Sequence, residues 1–364
     1  MRALRDILGA FQMLRETGRE GVLASAVHTE GSTYRRAGAR MLVQPDDRVI
    51  GLISGGCLEG DLLEQARSVR ESGKPRIVRY DMRPEEDIVW GLGLGCAGVV
   101  EVLLERVDAE AAGPLDLLAE CVRERRPGVL ATALAGKAPL ATRWALHPDG
   151  RFSGPAAGAG EIERAVRRAA DQDRGALLAG EAGKVLIEVV RPAPRLLVFG
   201  AGPDAAPVVR IASELGWEVV VVDWRPAYAR QESFREASAV VLCEAERVGE
   251  CVDVDGTSAA LVMTHHYLRD RSLLRFLLPS AARFIGILGP RRRTEALLED
   301  LGEEGLSLTR EQLERLHGPA GLDIGAESPE EIALALVAEI QATLTGRQGG
   351  WLRERKGPIH DQGP

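Results

Sequence analysis

The sequence predicts an α/β chain in two parts, an N-terminal α/β (α+β) region with an internal duplication and a C-terminal doubly wound parallel sheet. Two observations carry this. Gly128-Val-Leu-Ala-Thr-Ala-Leu134 echoes Gly21-Val-Leu-Ala-Ser-Ala-Val27, and Ala145-Leu-His-Pro-Asp-Gly-Arg-Phe-Ser-Gly154 echoes Leu42-Val-Gln-Pro-Asp-Asp-Arg-Val-Ile-Gly51. Self-similarity of this kind marks repeated supersecondary units. Further on, an apolar strand, a glycine turn and a helix succeed one another, and apolar segments then recur with helical segments between them, the pattern of a parallel sheet. The expected division is 1–110 for the first copy, 111–192 for a degraded second copy or extension of it, 193–346 for the Rossmann-like domain and 347–364 for a loose tail.

The elements follow in order. MRALRDILGAFQMLRETGRE has the apolar spacing of an amphipathic helix. Gly21–Val27 and Ala39–Val43 read as strands, Pro45–Asp47 as a turn and Arg48–Gly51 as the return strand of a hairpin. Leu58–Ser72 has helical periodicity and stops at Gly73. Lys74–Tyr80 and Val99–Arg106 are further strands. The second copy repeats helix, strand and hairpin, then a helix over Glu161–Asp173 and a strand over Lys184–Val190. Pro192-Ala-Pro194 is a short stiff linker. Beyond it come strands at Arg195–Phe199, Glu218–Val222, Ala239–Leu242, Ala259–Met263 and Phe284–Leu288. Ser328-Pro-Glu-Glu331 combines an N-cap, a Pro at the first helical position and a capping-box Glu, and opens a helix ending near Thr345-Gly346.

Composition excludes several classes. The 364 residues hold 46 Lys and Arg against 54 Asp and Glu, a net charge of −8, and only 4% are aromatic. An acidic chain with few stacking platforms is not built for nucleic acid. No apolar run approaches the ~20 residues that span a bilayer. The N-terminal pattern lacks the continuous apolar core of a signal peptide, which points to the cytoplasm. The cations are almost all Arg, with Lys only at 74, 137, 184 and 356. The five Cys, at 57, 96, 121, 243 and 251, show no C-x-x-C spacing. Their odd number predicts neither a disulfide framework nor a structural zinc site.

The glycine turn after Arg195–Phe199 has the dinucleotide fingerprint in its proper context. Gly200 permits the tight turn, Gly202 lets backbone approach a pyrophosphate, and Ala205 lets helix and strand pack closely. Asp223 ends the next strand at the spacing of an acid for ribose hydroxyls, which suits NAD; Arg225 beside it can accept a 2′-phosphate, and the crevice also suits other nucleotides. His265, in Thr264-His-His266, leaves a later strand at its carboxyl end, where ligands of open α/β sheets bind. Arg291, in Pro290-Arg-Arg-Arg293, opens a helix where an anion is favoured. In the first copy, Ser54-Gly55-Gly56-Cys57 precedes a helix, so its amides and the helix dipole favour an anion and a thiolate at Cys57, with Glu59 two residues on. His28, Tyr34, Arg35, Arg36 and Arg40 cluster in a second loop, and Cys96 lies in the glycine-dense turn Gly91–Gly98. The second copy keeps the scaffold and lacks both the His28–Arg36 and Ile53–Asp61 loops, so these are better explained by function than by fold.

Together, His28-Thr-Glu-Gly-Ser-Thr-Tyr-Arg-Arg36, Ile53-Ser-Gly-Gly-Cys-Leu-Glu-Gly60, Gly93-Leu-Gly-Cys-Ala-Gly98, Val222-Asp-Trp-Arg-Pro226 and Gly318-Pro-Ala-Gly-Leu-Asp-Ile-Gly325 resemble the XdhC/CoxI family, accessory and maturation proteins of xanthine and carbon monoxide dehydrogenases. Ala97 and Pro290 depart from the family pattern. The resemblance implies a carrier of the molybdenum cofactor that supports its sulfuration and delivers it to a client molybdoenzyme, with a cysteine desulfurase as a further partner. It implies a chaperone rather than an enzyme in its own right, and the apolar strands of two similar N-terminal copies invite symmetric association as a homodimer. Backbone amides, Arg and the Cys57 thiolate, as a contact to the molybdenum cofactor, suit an anionic pterin with a soft-ligated metal. The competing reading is an NAD(P)-dependent oxidoreductase using the Rossmann crevice, for which His265 with Asp270 is the one candidate proton-transfer pair.

Overall fold

The structure, a computed structural model, describes residues 2–83, 98–180 and 183–356. It holds two compact units, Ala3–Pro192 and Ala193–Glu354, the second taking in Arg2. Cys96 and the rest of its glycine turn before Gly98 lie outside the described residues, as does the end of the tail beyond 356.

The N-terminal unit runs α1 (Arg2–Glu16), β1 (Gly21–Gly31), β2 (Arg40–Val43), β3 (Val49–Gly51), α2 (Glu59–Ser72), β4 (Arg76–Asp81) and β5 (Gly98–Val107). It then repeats itself as α3 (Leu115–Glu124), β6 (Gly128–Ala135), β7 (Arg143–Leu146), β8 (Phe152–Ser153), α4 (Ala159–Asp171), β9 (Ala176–Gly180) and β10 (Gly183–Val190). Both halves form antiparallel five-stranded sheets of one topology, β3-β2-β1-β5-β4 and β8-β7-β6-β10-β9. The fold is therefore duplicated, as the echoed motifs predict. α2 stops where it should: Gly73 takes the left-handed conformation and its N–H bonds the Val69 carbonyl at 2.8 Å.

Alternation along the strands sorts the core into layers. Val22, Ala24 and Ala26 of β1 pack with Leu62, Ala66 and Val69 of α2. Val129, Ala131 and Ala133 of β6 pack with Ile162, Val166 and Ala169 of α4. The intervening residues point the other way, and Val27 and Leu103 of the first sheet meet Leu134 and Leu186 of the second. The central strands are largely apolar because each buries both faces.

Two ion pairs cross this inner layer. Arg40 Nη2 donates to both carboxylate oxygens of Glu188 at 3.1 Å. Arg143 grips Glu105 with both terminal nitrogens, Nη1 to Oε2 at 2.7 Å and Nη2 to Oε1. The four positions are related by the repeat: Arg40 lies opposite Ser25 and Arg143 opposite Thr132, while Glu105 lies opposite Leu23 and Glu188 opposite Leu130. Each copy thus supplies the Arg to the other's Glu, the self-complementary pattern of a twofold interface. Arg40 and Glu188 are only 10% and 15% exposed, Arg143 and Glu105 16% and 8%.

The C-terminal unit is a parallel sheet of β11 (Arg195–Phe199), β12 (Glu218–Asp223), β13 (Ala239–Leu242), β14 (Ser258–Val262), β15 (Phe284–Ile287) and β16 (Leu316–His317) in the order β13-β12-β11-β14-β15-β16. The order reverses between β11 and β14, which puts the binding crevice of such a sheet at their carboxyl ends. α5 (Ala205–Glu214) and α10 (Pro329–Leu344) cover one face, α7 (Tyr267–Leu277) and α8 (Arg291–Glu303) the other; α6 (Val248–Cys251) and α9 (Arg310–Glu314) are short connectors. α10 starts with the expected capping box of Ser328 and Glu331. β9 and β16 are the strands the sequence does not announce: Ala-Leu-Leu-Ala-Gly has no alternation, and two residues are too few to show any.

Removing one partner of a buried, crossed pair strands the other charge, so Glu188→Leu should lower stability by about 3 kcal/mol. Arg40→Met combined with Glu188→Leu should recover most of that loss. Denaturant unfolding of the single and double variants checks it, and strictly additive losses would contradict the pairing.

Candidate functional site

The first-copy loops arise from a break in strand register. β1 pairs with β5 as far as Gly31, with a bulge between Ala26 and His28. The Gly38 N–H bonds the Ala26 carbonyl at 2.8 Å, closing the intervening residues into a loop. His28 Nε2 bonds Glu30 at 3.0 Å, and its buried Nδ1 has no hydrogen-bond partner among the described residues. The Glu30 carboxyl is held below its ordinary value by that bond and by the nearby cations. The Tyr34 ring stands within ordinary contact of the space above Gly55, which brings the two loops together. Arg35 is exposed and Arg36 half-buried.

The Ser54–Cys57 turn is organised differently from the expectation. The Ser54 N–H donates to Glu59 at 2.9 Å, and the Ser54 hydroxyl bonds the same carboxylate. The amides of Gly56 and Leu58 reach the Ser54 oxygen at 3.2 and 3.1 Å. Burial pushes the Glu59 carboxyl up, and these donors more than reverse it, leaving it below the usual range. The carboxylate of Glu59 is therefore the anion this turn holds, and it braces the loop. Cys57 is a free, half-buried thiol on this braced loop. Cys121 makes the contrast: buried in α3, its thiol is pushed up to about 12 by desolvation. Arg40 also leaves the candidate set, because its guanidinium is committed to Glu188.

At the carboxyl edge of the parallel sheet, Gly200 has φ 116°, and a Cβ there would meet the Met263 carbonyl at 2.5 Å. Only glycine serves. Ala205 is fully buried at the start of α5. Asp223, 1% exposed, accepts from the Ala201 N–H at 2.7 Å, from the Arg225 N–H at 2.8 Å and from the Arg225 guanidinium at 3.0 and 2.8 Å. Its oxygens are thus engaged within the protein, locking β12 to the glycine turn, and Arg225 is held there and stacked on Trp224 and Tyr228. A second acid, Asp204, lies beside Gly202 at the N-terminus of α5 and bonds His265 Nε2 at 2.9 Å. His265 has φ 56°, a left-handed conformation rare outside glycine. The Asp204 carboxylate thus places a negative charge beside Gly202, at the helix N-terminus where an anion is otherwise favoured.

Sequence reasoning missed Asp204 and paired His265 with the wrong acid. Asp270 is buried and bonds Thr264 and Arg293, the latter at 2.7 Å. Arg293, in the first turn of α8, is the engaged cation of its cluster; Arg291 is exposed. The expectation of no disulfide is also corrected: Cys243 and Cys251, eight residues apart, are bonded. Their spacing is that of a loop closing a strand end onto a short helix, which no C-x-x-C search detects. No group of three or more metal-ligating side chains occurs among the described residues. None of their helices is long and apolar enough to cross a membrane.

Comparison with known proteins then decides the family. The family model for the XdhC Rossmann domain matches residues 196–340, and that of the XdhC and CoxI family matches residues 14–81. A protein of Bacillus subtilis (strain 168) described as a probable xanthine dehydrogenase subunit is 36% identical over 335 residues, covering 91% of this chain and 95% of that protein. The chain belongs to the XdhC and CoxI family. The molybdenum cofactor insertion chaperone PaoD of Escherichia coli (strain K12) is a more distant relative, 24% identical across 89% of this chain and 83% of its own. A crystal structure of a xanthine dehydrogenase from Bacillus halodurans has the same fold, with a TM-score of 0.79, 32% identity and coverage of 96% and 97%. In this XdhC/CoxI chain the family motifs among the described residues thus map onto two loop systems, one at the rim of the first antiparallel sheet and one at the carboxyl edge of the parallel sheet.

Asp223 gives the second system a pH signature. Burial raises its carboxyl, but the Arg225 hydrogen bonds, the Ala201 and Arg225 amides and the Arg225 charge together hold it below the ordinary value. A depressed carboxyl stabilises fully above its unfolded value of ~3.9 and ceases to do so as pH falls through the folded value. Asp223→Asn should be less stable at neutral pH and lose less stability on acidification below about pH 4. Stability curves against pH that run parallel for parent and variant would contradict the assignment.

Proposed function

We propose that this chain binds the molybdenum cofactor, supports its sulfuration and inserts it into a xanthine dehydrogenase-type molybdoenzyme. The observation that carries the reading is the meeting of the His28–Arg36 loop with the Ser54–Cys57 turn, through Tyr34 and Gly55, beside a free half-buried thiol. The pterin phosphate and the oxidised, sulfur-ligated metal of this cargo call for cations, unpaired hydrogen-bonding atoms and a soft contact. Arg35 and Arg36, the orphaned His28 Nδ1 and Cys57 answer those needs in turn. The names of the relatives, one tied to xanthine dehydrogenase and one to molybdenum cofactor insertion, support the same role.

The finer parts of the proposal follow from that cargo. A client enzyme receives the cofactor, a cysteine desulfurase supplies the sulfur, and the exchange takes place in the cytoplasm on a homodimer. The Rossmann crevice, with Asp223 engaged and Asp204 over the glycine turn, is not the primary site of an NAD(P) oxidoreductase in this reading.

Cys57→Ser keeps the shape of the turn and removes the soft ligand. Protein isolated from cells that make the cofactor should lose about tenfold of its bound molybdenum and pterin phosphate on this substitution. Elemental analysis and fluorescence of the oxidised pterin measure both. Equal loading and equal activation of a client enzyme by parent and variant would overturn the site.

A further inference from the structure

The second copy is not a bare scaffold. Glu120 of α3, His147 after β7 and Ser153 of β8 form a continuous relay. The Glu120 carboxylate lies 2.6 Å from His147 Nδ1, and His147 Nε2 lies 2.8 Å from the Ser153 hydroxyl. Both Glu120 and His147 are largely buried, at 17% and 14% exposure. Ser153 is half-buried on the edge strand of its sheet. A carboxylate can only accept, so it fixes the proton on Nδ1 of the neutral ring. Nε2 is then an acceptor aimed at the serine proton. A nucleophile, a base within hydrogen-bond reach and a third group orienting the base are the parts of an activated serine.

The duplication shows that the fold does not require these residues. The turn after β2 repeats the turn after β7: the Gln44 N–H bonds the Arg48 carbonyl as the His147 N–H bonds that of Arg151, and Asp47 to Gln44 matches Gly150 to His147. The helices correspond too, since Leu14 crowds Gly21 as Cys121 crowds Gly128. In that register Gln44 stands for His147, Ile50 for Ser153 and Met13 for Glu120. The first copy builds the same hairpin with a neutral amide and two apolar side chains. Past Ser153 the chain runs through Gly154 and Pro155 to a shallow, open depression lined by Ala156, Gly158, Ala159, Gly160, Glu161 and Arg164.

We infer that Glu120, His147 and Ser153 form a hydrolytic site for small acyl esters, a function separate from cofactor handling. The Ser153 oxygen bonds to the ester carbonyl carbon as its proton passes to His147 Nε2. The ester C–O bond breaks, and the leaving alcohol takes that proton. Water then repeats the sequence, its proton passing through His147 to Ser153 as the acid is released. Glu120 is a positioning residue: it never touches substrate and acts by holding the ring and stabilising its charged form.

The full-length protein treated with a fluorophosphonate probe should carry one adduct at Ser153, located by peptide mass spectrometry, and should hydrolyse 4-nitrophenyl acetate. Ser153→Ala should abolish both, and His147→Gln should slow both at least about 100-fold. Glu120→Gln keeps an oxygen to accept from Nδ1 but removes the charge, so it should slow labelling, with Glu120→Asp restoring part of the rate. Thermal melts and cofactor loading should be unchanged in Ser153→Ala, which separates this outcome from the fate of the cofactor proposal. A folded parent that takes up no probe at Ser153, or equal ester hydrolysis in parent and Ser153→Ala, would overturn the inference, as would Glu120→Gln reacting at the parent rate.

Discussion

The N-terminal unit depends on two guanidinium–carboxylate pairs that cross between its halves. Arg40 reaches Glu188 and Arg143 reaches Glu105, each pair largely removed from water in the layer where two sheets meet. Arg suits the task because its planar fork matches a carboxylate at two points and stays charged when buried. The apolar contact of Val27 and Leu103 with Leu134 and Leu186 supplies much of the burial. The ion pairs supply direction, since a slip of either sheet would strand a charge in an apolar layer. With the sheets so registered, the loops of the two copies are free to diverge at their rims.

Divergence has gone two ways from one scaffold. The first copy lengthens the β1–β2 connection into the loop holding Tyr34 and builds the Ser54–Cys57 turn beside it. The second keeps these connections plain and places Glu120, His147 and Ser153 on its hairpin and helix. A common device recurs in the two glycine-rich turns. Each is steadied by a carboxylate from its own chain, Glu59 on the Ser54 amide and Asp223 on the Ala201 amide. Such turns have amides and helix ends that attract negative charge. A resident acid fixes the geometry of each turn.

Much of this was legible in the sequence, for identifiable reasons. The duplication showed because turn chemistry is strict: Pro-Asp-Asp-Arg and Pro-Asp-Gly-Arg both require their hairpin. The parallel sheet showed because five of its strands are continuous apolar runs beside a glycine fingerprint. What stayed hidden were partners far apart in the chain. Nothing local tells that Arg40 is committed to a residue 148 positions away, or that Asp223 is saturated by Arg225 and the Ala201 amide. His265 was visible as a strand-end residue, but its acid lies 61 positions earlier at a helix start, not in the nearby Asp270. Family motifs pointed to these loops; only geometry showed which of their side chains brace them, as Glu59 and Asp223 do.

The claim that these loops serve a molybdenum-bearing pterin and that the Rossmann crevice does not serve a dinucleotide is tested most directly by native mass spectrometry. The intact protein, isolated from cells that make the cofactor, should carry an added mass of a phosphorylated pterin with molybdenum, and an excess of NAD should leave that spectrum unchanged. A chain that emerges free of pterin and takes up NAD would contradict the account.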